Sequence, residues 1–210
     1  ASEGKLTIPM KLGSATGACA PFNCFYEFLP LEQKGNKDVQ PLCMWEVEKG
    51  KHYELMITTY SGLYRYNMLD VVKVVDFIGR TPIIVFCGKS SDRLIVDGKT
   101  IYGYQIADAA QVVEGQLGIE FDLVQAFVTD NGYAVMLETK NQVNYDVLKQ
   151  TIGQVAKAQC GYVPDTIYIM DHQYKDSLFT ERTRIDRGAC GIKLPIVISE
   201  VPKQHIMQVL

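Results

Sequence analysis

Over the first eighty positions, apolar residues alternate with polar ones or gather in short runs, a pattern that suits strands rather than helices. Asn23 to Leu29 is short, aromatic and closed by Pro30, which marks a strand end. Glu32 to Gln40 is polar and reads as a loop. His52 to Thr59 is the next strand candidate, and Ser61-Gly62 breaks it. Strand character resumes from Val71 to Phe77 with β-branched residues, and Ile83 to Phe86 is a compact apolar strand. A polar cluster, Gly88 to Arg93, then leads to Leu94-Ile95-Val96 and the turn signal Asp97-Gly98.

Beyond this point the spacing changes. Ile106, Ala109, Val113 and Leu117 recur at three- and four-residue intervals and predict a helix over 104–117. Phe121 to Val128 and Tyr133 to Glu138 predict a hairpin around Asp130-Asn131-Gly132, residues that accept a positive φ. Asn144 can cap a second helix running to about Gln159, with Gly161 ending it, and Thr166 to Met170 is a last clear strand. The order after 83 is strand, helix, strand, strand, helix, strand: a split βαβ pattern with both helices expected on one face of a small sheet. The fold class expected is α+β, a β-rich part over 1–87 followed by a small α/β domain over 88–210, with a hinge between Cys87 and Arg93. The tail from Asp171 is mixed, with a charged segment over 181–187 and a glycine-rich loop before Lys193.

Composition narrows the function classes. A formal net charge of −3 and no basic stripe argue against a broad nucleic-acid footprint. The apolar runs are too short to span a membrane. The six cysteines form no Cys-x-x-Cys pair, and the three histidines lie away from them, so neither zinc nor a disulfide framework is expected. Reduced, buried thiols in a cytoplasmic protein are the expectation.

Generic motifs are missing: no Gly-x-x-x-x-Gly-Lys-Ser/Thr loop, no dinucleotide fingerprint and no nucleophile elbow. Three stretches nonetheless carry suitable chemistry. Ser2-Glu3 sets a hydroxyl beside a carboxylate, able to hold a phosphate oxygen and a magnesium ion, although such pairs also occur in any solvated terminus. Thr58 to Asp70 ends in an acid placed to accept hydrogen bonds from a ribose diol; the plainer reading is an aromatic edge strand with a solvated Arg65. Lys89 and Lys193 each offer a cation from a polar loop, where lysines are usually just solvated.

Taken in order, these stretches resemble the auxin-responsive Gretchen Hagen-type acyl-acid amido synthetases of the adenylate-forming superfamily. Ser2-Glu3 matches the end of the family's magnesium and phosphate motif. Thr58 to Tyr66 and Asp70 match its Thr-Thr-Tyr-Ala/Ser-Gly-Leu-Tyr-Arg-Tyr block and the acid that follows. Gly88-Lys89 and Gly98 match its hinge, and Gly191 to Pro195 echoes its late Gly-Gln-x-Lys-x-Pro loop. The family's Arg-x-Gly-Asp reads Asn67-Met68-Leu69-Asp70 here, so Asn67 replaces the arginine and Leu69 the glycine.

The resemblance implies a two-step ligase using ATP and Mg²⁺. A small carboxylic acid becomes an acyl-adenylate, and an amino acid then attacks it. Ser2 would touch the α-phosphate, Glu3 would bind Mg²⁺, Asp70 would hold the ribose hydroxyls and Lys89 would contact phosphate or ribose. Lys193 would be the catalytic lysine. The family's phosphate loop and most of its acyl pocket lie upstream of Ser-Glu, so the chain is expected to be the C-terminal part of such an enzyme, partnered by the missing N-terminal part and inactive alone. The competing reading, suggested by Asn67 and Leu69, is a degenerate homologue serving as a non-catalytic small-molecule-binding or dimerisation module.

Overall fold

The aromatic and β-branched runs of the first half pair into one antiparallel sheet. The computed structural model describes residues 4–11, 13–34, 36, 38–185, 194–199 and 202–210. They divide into two units, Ala1–Ser91 and Asp92–Leu210.

The first unit holds β1 (Thr7–Pro9), β2 (Thr16–Cys19), β3 (Cys24–Pro30), β4 (Leu42–Cys43), β5 (His52–Thr59), β6 (Tyr66–Ile78) and β7 (Thr81–Lys89). Their order across the sheet is β1-β2-β7-β6-β5-β3-β4. The period-two rule of a strand sorts β3 cleanly: Cys24, Tyr26 and Phe28 are buried while Phe25 faces water. Phe28 meets Tyr53 of β5 edge-on with ring centroids 5.8 Å apart. These rings, with Leu55, Ile57, Val72, Val74 and Ile84, form the unit's core.

Two short strands, β1 and β2, were not expected from the sequence. Nor was the length of β6 and β7, which are joined by a two-residue turn at Gly79-Arg80, where Gly79 takes φ +60°. Ile83 to Phe86 is therefore not the first strand of the small domain. It lies inside β7, paired with β6 and β2.

The second unit opens with a hairpin, β8 (Arg93–Val96) and β9 (Lys99–Tyr102), whose turn residues Asp97 and Gly98 both have positive φ, +50° and +74°. Then follow α1 (Gly103–Leu117), β10 (Leu123–Thr129), β11 (Gly132–Glu138), α2 (Tyr145–Cys160), β12 (Thr166–Met170), α3 (Tyr174–Ile185) and β13 (Ile206–Val209). From α1 to β12 the order helix, strand, strand, helix, strand is kept, while the β8–β9 hairpin before it forms a separate two-stranded sheet. The main sheet runs β10-β11-β12-β13, with β11 and β12 parallel across α2. Helix α2 starts where expected: the Asn144 side chain accepts from the N–H of Asp146 and Val147 at 3.0 and 3.2 Å, and Gly161 ends it at φ +78°.

One expectation is corrected. The sheet is covered on both faces, not one. Along β11, Tyr133, Val135 and Leu137 pack with Ile106, Val113, Leu148 and Ile152 of α1 and α2. Ala134 and Met136 pack with Tyr174 and Leu178 of α3. A strand buried on both sides loses its alternation and reads as a continuous apolar run. Helix α3 was hidden because its sequence is mostly polar and its inward face rests on few apolar residues.

Candidate functional site

The Thr58-to-Asp70 block is the turn between β5 and β6 and the start of β6, and its local bonds shape it. The Thr59 N–H donates to the Leu63 carbonyl at 2.8 Å, and the Thr59 and Ser61 hydroxyls are 2.8 Å apart. Gly62 closes the turn at φ +101°. Thr58 Oγ1 accepts from the Arg65 N–H at 2.9 Å, with Arg65 itself at φ +46°. The Arg65 guanidinium is exposed but paired. It forms a forked pair with Glu27 on β3, Nε lying 3.1 Å from both carboxylate oxygens. The tyrosines between are left outward: Tyr60 is 93% and Tyr64 80% exposed. Beside this turn, Thr59, Tyr60 and Ser61 line a groove of about 260 Å³ together with Lys5 and Asn23.

Strand β6 then bulges. Met56 pairs with Asn67 and Leu55 with Asp70, so Met68 and Leu69 are extra residues with no partner on β5. Leu69 takes φ +57°, the left-handed region that glycine enters freely and a leucine rarely does. The family's glycine is absent, yet the backbone keeps the conformation a glycine would supply. The Leu69 N–H donates to Asn67 Oδ1 at 2.8 Å, and its carbonyl accepts from the Ser90 N–H at 2.7 Å.

The bulge delivers Asp70 opposite Lys89 in the β6–β7 register. The two form an ion pair through Asp70 Oδ1, a buried oxygen whose partner is that ammonium. Lys89 Nζ also donates to the Met68 carbonyl at 3.0 Å. Asp70 is largely covered and Lys89 half-exposed, so the pair sits at the surface with its cation outward.

Behind the bulge lies a carboxylate that sequence reasoning missed. Glu54 is only 1% exposed. Lys34 pairs with it, Asn67 Nδ2 donates to its Oε1 at 2.6 Å, and the Ser90 side chain lies beside it. Burial pushes its pKa up, but the contacts with Lys34, Ser90 and Asn67 outweigh that and hold it below the usual carboxylate range. The signal was available: a charged residue set in the apolar run Tyr53 to Ile57 has to be paired.

Of the five residues expected to act, the structure brings Asp70 and Lys89 together. Ser2, Glu3 and Lys193 lie outside the described residues. Among the described residues no group of three or more His, Cys, Asp or Glu side chains is arranged for a metal ion. The described cysteines are free thiols. Burial pushes Cys19 up to about 12 and Cys160 to about 11, as inert core thiols require.

The fold is shared with a solved structure: over 99% of its length the chain superposes on the GH3.15 acyl acid amido synthetase with a TM-score of 0.76 at 18% identity, covering 42% of that chain. An ATP-bound RpMatB-BxBclM chimera shares the fold more loosely, with a TM-score of 0.51 at 11% identity over 80% of this chain and 35% of the other. Residues 17–89, which contain the whole Thr58-to-Lys89 site, match the GH3 family central domain. Over that segment the chain is similar to the GH3 family.

Among curated relatives, a probable indole-3-acetic acid-amido synthetase GH3.1 of Oryza sativa subsp. japonica is 39% identical over 83 residues, 37% of this chain and 13% of that protein. A jasmonoyl-L-amino acid synthetase, JAR4 of Nicotiana attenuata, is 29% identical over 158 residues, 70% of this chain and 27% of that protein. The chain thus spans only a minor part of the relatives it matches. No described helix is long and apolar enough to cross a membrane.

Proposed function

We propose that the protein containing this chain is an ATP-dependent acyl-acid amido synthetase that activates a small carboxylic acid as its adenylate and joins it to an amino acid. The observation that carries this reading is the placement of Asp70 beside Lys89 on a bulge that keeps a glycine-like backbone without the glycine, in a segment matching the GH3 central domain. Family likeness supports the reaction class; the bulge supports retention of the nucleotide-binding geometry despite Asn67 and Leu69.

In this reading Asp70 accepts the ribose hydroxyls and Lys89 meets phosphate or ribose. A largely covered carboxylate on the central strand β6, backed by a cation, presents acceptor oxygens that suit a diol. Ser2 contacts the α-phosphate, Glu3 holds Mg²⁺ and Lys193 stabilises charge on the α-phosphate as the acyl-adenylate forms. Bound Mg²⁺ would supply charge neutralisation at the phosphates. The part over 88–210 is the small domain that swings about the polar segment after β7, and the large domain's remainder supplies the acyl pocket. The free thiols fit a cytoplasmic site of action.

The test is acid-dependent exchange of pyrophosphate into ATP by the intact protein, with Asp70→Ala alongside. Exchange in the wild type and at least tenfold weaker ATP binding in the variant are expected. No exchange with any of a panel of auxin-like and jasmonate-like acids, or unchanged ATP affinity in Asp70→Ala, would overturn the proposal in favour of a non-catalytic homologue.

A further inference from the structure

Glu54 is the most buried charge in the first unit's described core. An isolated buried carboxylate is costly, and a buried ion pair is no better for stability than well-packed apolar side chains. Its partners are more informative than its presence. Lys34 follows the short turn at Leu31–Gln33, Asn67 opens the β6 bulge, and Ser90 follows the end of β7. Three separate segments converge on one carboxylate.

Two of those partners hold the same residue from both sides. Asn67 gives its Nδ2 to Glu54 and receives the Leu69 N–H on Oδ1. Ser90, whose side chain lies beside Glu54, gives its backbone N–H to the Leu69 carbonyl. Both backbone polar groups of the left-handed residue are therefore bonded, one of them to the residue that Glu54 holds. Leu69 is 41% exposed, so its own side chain contributes little to keeping the turn closed. A leucine in this conformation persists only where its surroundings over-determine it.

We infer that Glu54 is a positioning residue: its carboxylate clamps Asn67, Asn67 clamps the left-handed turn at Leu69, and the turn sets Asp70 against Lys89. This rests on the nucleotide reading above for its consequence in binding, but not for the clamp itself.

The experiment measures amide hydrogen exchange and ATP affinity on the intact protein for Glu54→Gln, Asn67→Ala, Asp70→Ala and the double variant Glu54→Gln/Leu69→Gly. Glu54→Gln and Asn67→Ala should each lower protection of the Leu69 and Ser90 amides at least tenfold while the β10–β11 amides keep theirs. ATP affinity should fall about fivefold or more in both. Glycine at 69 enters the turn without penalty, so the double variant should return to within about threefold of wild-type affinity. A merely structural role for Glu54 would not give that rescue. Unchanged protection in both single variants, or no recovery in the double one, overturns the clamp. If Glu54→Gln does not fold, Asn67→Ala decides by the same criteria for protection and affinity. If Asp70→Ala leaves ATP binding intact, the nucleotide reading fails by itself, and the exchange results alone support or overturn the clamp.

Discussion

Asp70 and Lys89 stand directly opposite each other on β6 and β7, and their side chains form an ion pair at the mouth of a two-residue bulge. A pair with one half-exposed partner contributes little to stability, about 0–1 kcal/mol. Its value therefore has to be sought in binding. Lys89→Met should shift the denaturation midpoint by less than about 1 kcal/mol. Asp70→Ala should leave folding equally untouched but weaken ATP binding more than about tenfold, since hydrogen bonds to a charged group contribute roughly 1.5–3 kcal/mol each. Calorimetric titration with ATP beside a denaturant melt separates the two effects.

Leu69→Gly should stabilise the protein. The left-handed conformation costs a non-glycine residue about 1–2 kcal/mol, while glycine's extra unfolded-state entropy costs about 0.5–1 kcal/mol. With Leu69 already 41% exposed, little burial is lost. A net gain of roughly 0.5–1 kcal/mol is expected in the denaturant midpoint at unchanged slope. A destabilised variant would mean that the leucine side chain does something in the turn beyond tolerating it.

How much of this was readable from residues alone follows the range of the forces involved. Local signals held. Asp97-Gly98 makes the positive-φ turn it announces, and Asn144 and Gly161 bound α2 as expected. The Asp130-Asn131 loop forms in the right place, but neither residue is among the described ones with positive φ. Signals that depend on what packs above or beside an element failed. The strand at Ile83 to Phe86 was counted as the first of the split βαβ pattern because its partners, β2 and β6, are set by tertiary pairing and not by its own composition. Helix α3 lacks a broad apolar face and was invisible to periodicity. Asp70 and Lys89 were singled out by the family resemblance, whereas the contacts of Glu54 with Lys34 and Asn67, 20 and 13 positions away along the chain, carry no local signal.

Two buried carboxylates should make stability depend on pH in opposite senses. Glu54 is held below its ordinary value of 4.5, so its contribution is complete above that pH and is lost as pH falls through the lowered folded value. Glu138, 2% exposed, is pushed above 4.5, first by burial and then by Asp122 and Asp176, against the help of the Lys175 N–H at 2.7 Å. Its folded form holds the proton more tightly than the unfolded chain, so stability is lost as pH rises from 4.5 through the raised value. Glu138→Gln keeps an acceptor for Lys175 and removes the charge. It should stabilise the protein at pH 7 by roughly 0.5–2 kcal/mol, and the gain should vanish below pH 4. Urea melts of wild type and variant at the two pH values check the sign.

Asp92 and Gly103 form a tight joint at the start of the second unit. The Asp92 carboxylate accepts from the N–H of Val197 at 2.7 Å and of Ile196 at 3.3 Å, and its backbone carbonyl accepts from the Gly103 N–H at 2.8 Å. It thereby pins the segment that follows Lys193 in sequence to the first turn of α1. A Cβ on residue 103 would lie 2.5 Å from Asp92 Oδ2 and 2.8 Å from its Cγ, so the glycine is there for space. Gly103→Ala should therefore cost about 1–3 kcal/mol by overpacking. Asp92→Ala should cost about 2 kcal/mol or more through the two bonds to a charged acceptor. Because alanine at 92 removes the clashing atoms, the double variant should be less destabilised than the sum, with a coupling of at least about 1 kcal/mol. Simple additivity would show that the carboxylate swings clear at no cost, and that it does not hold residues 196 and 197 in solution.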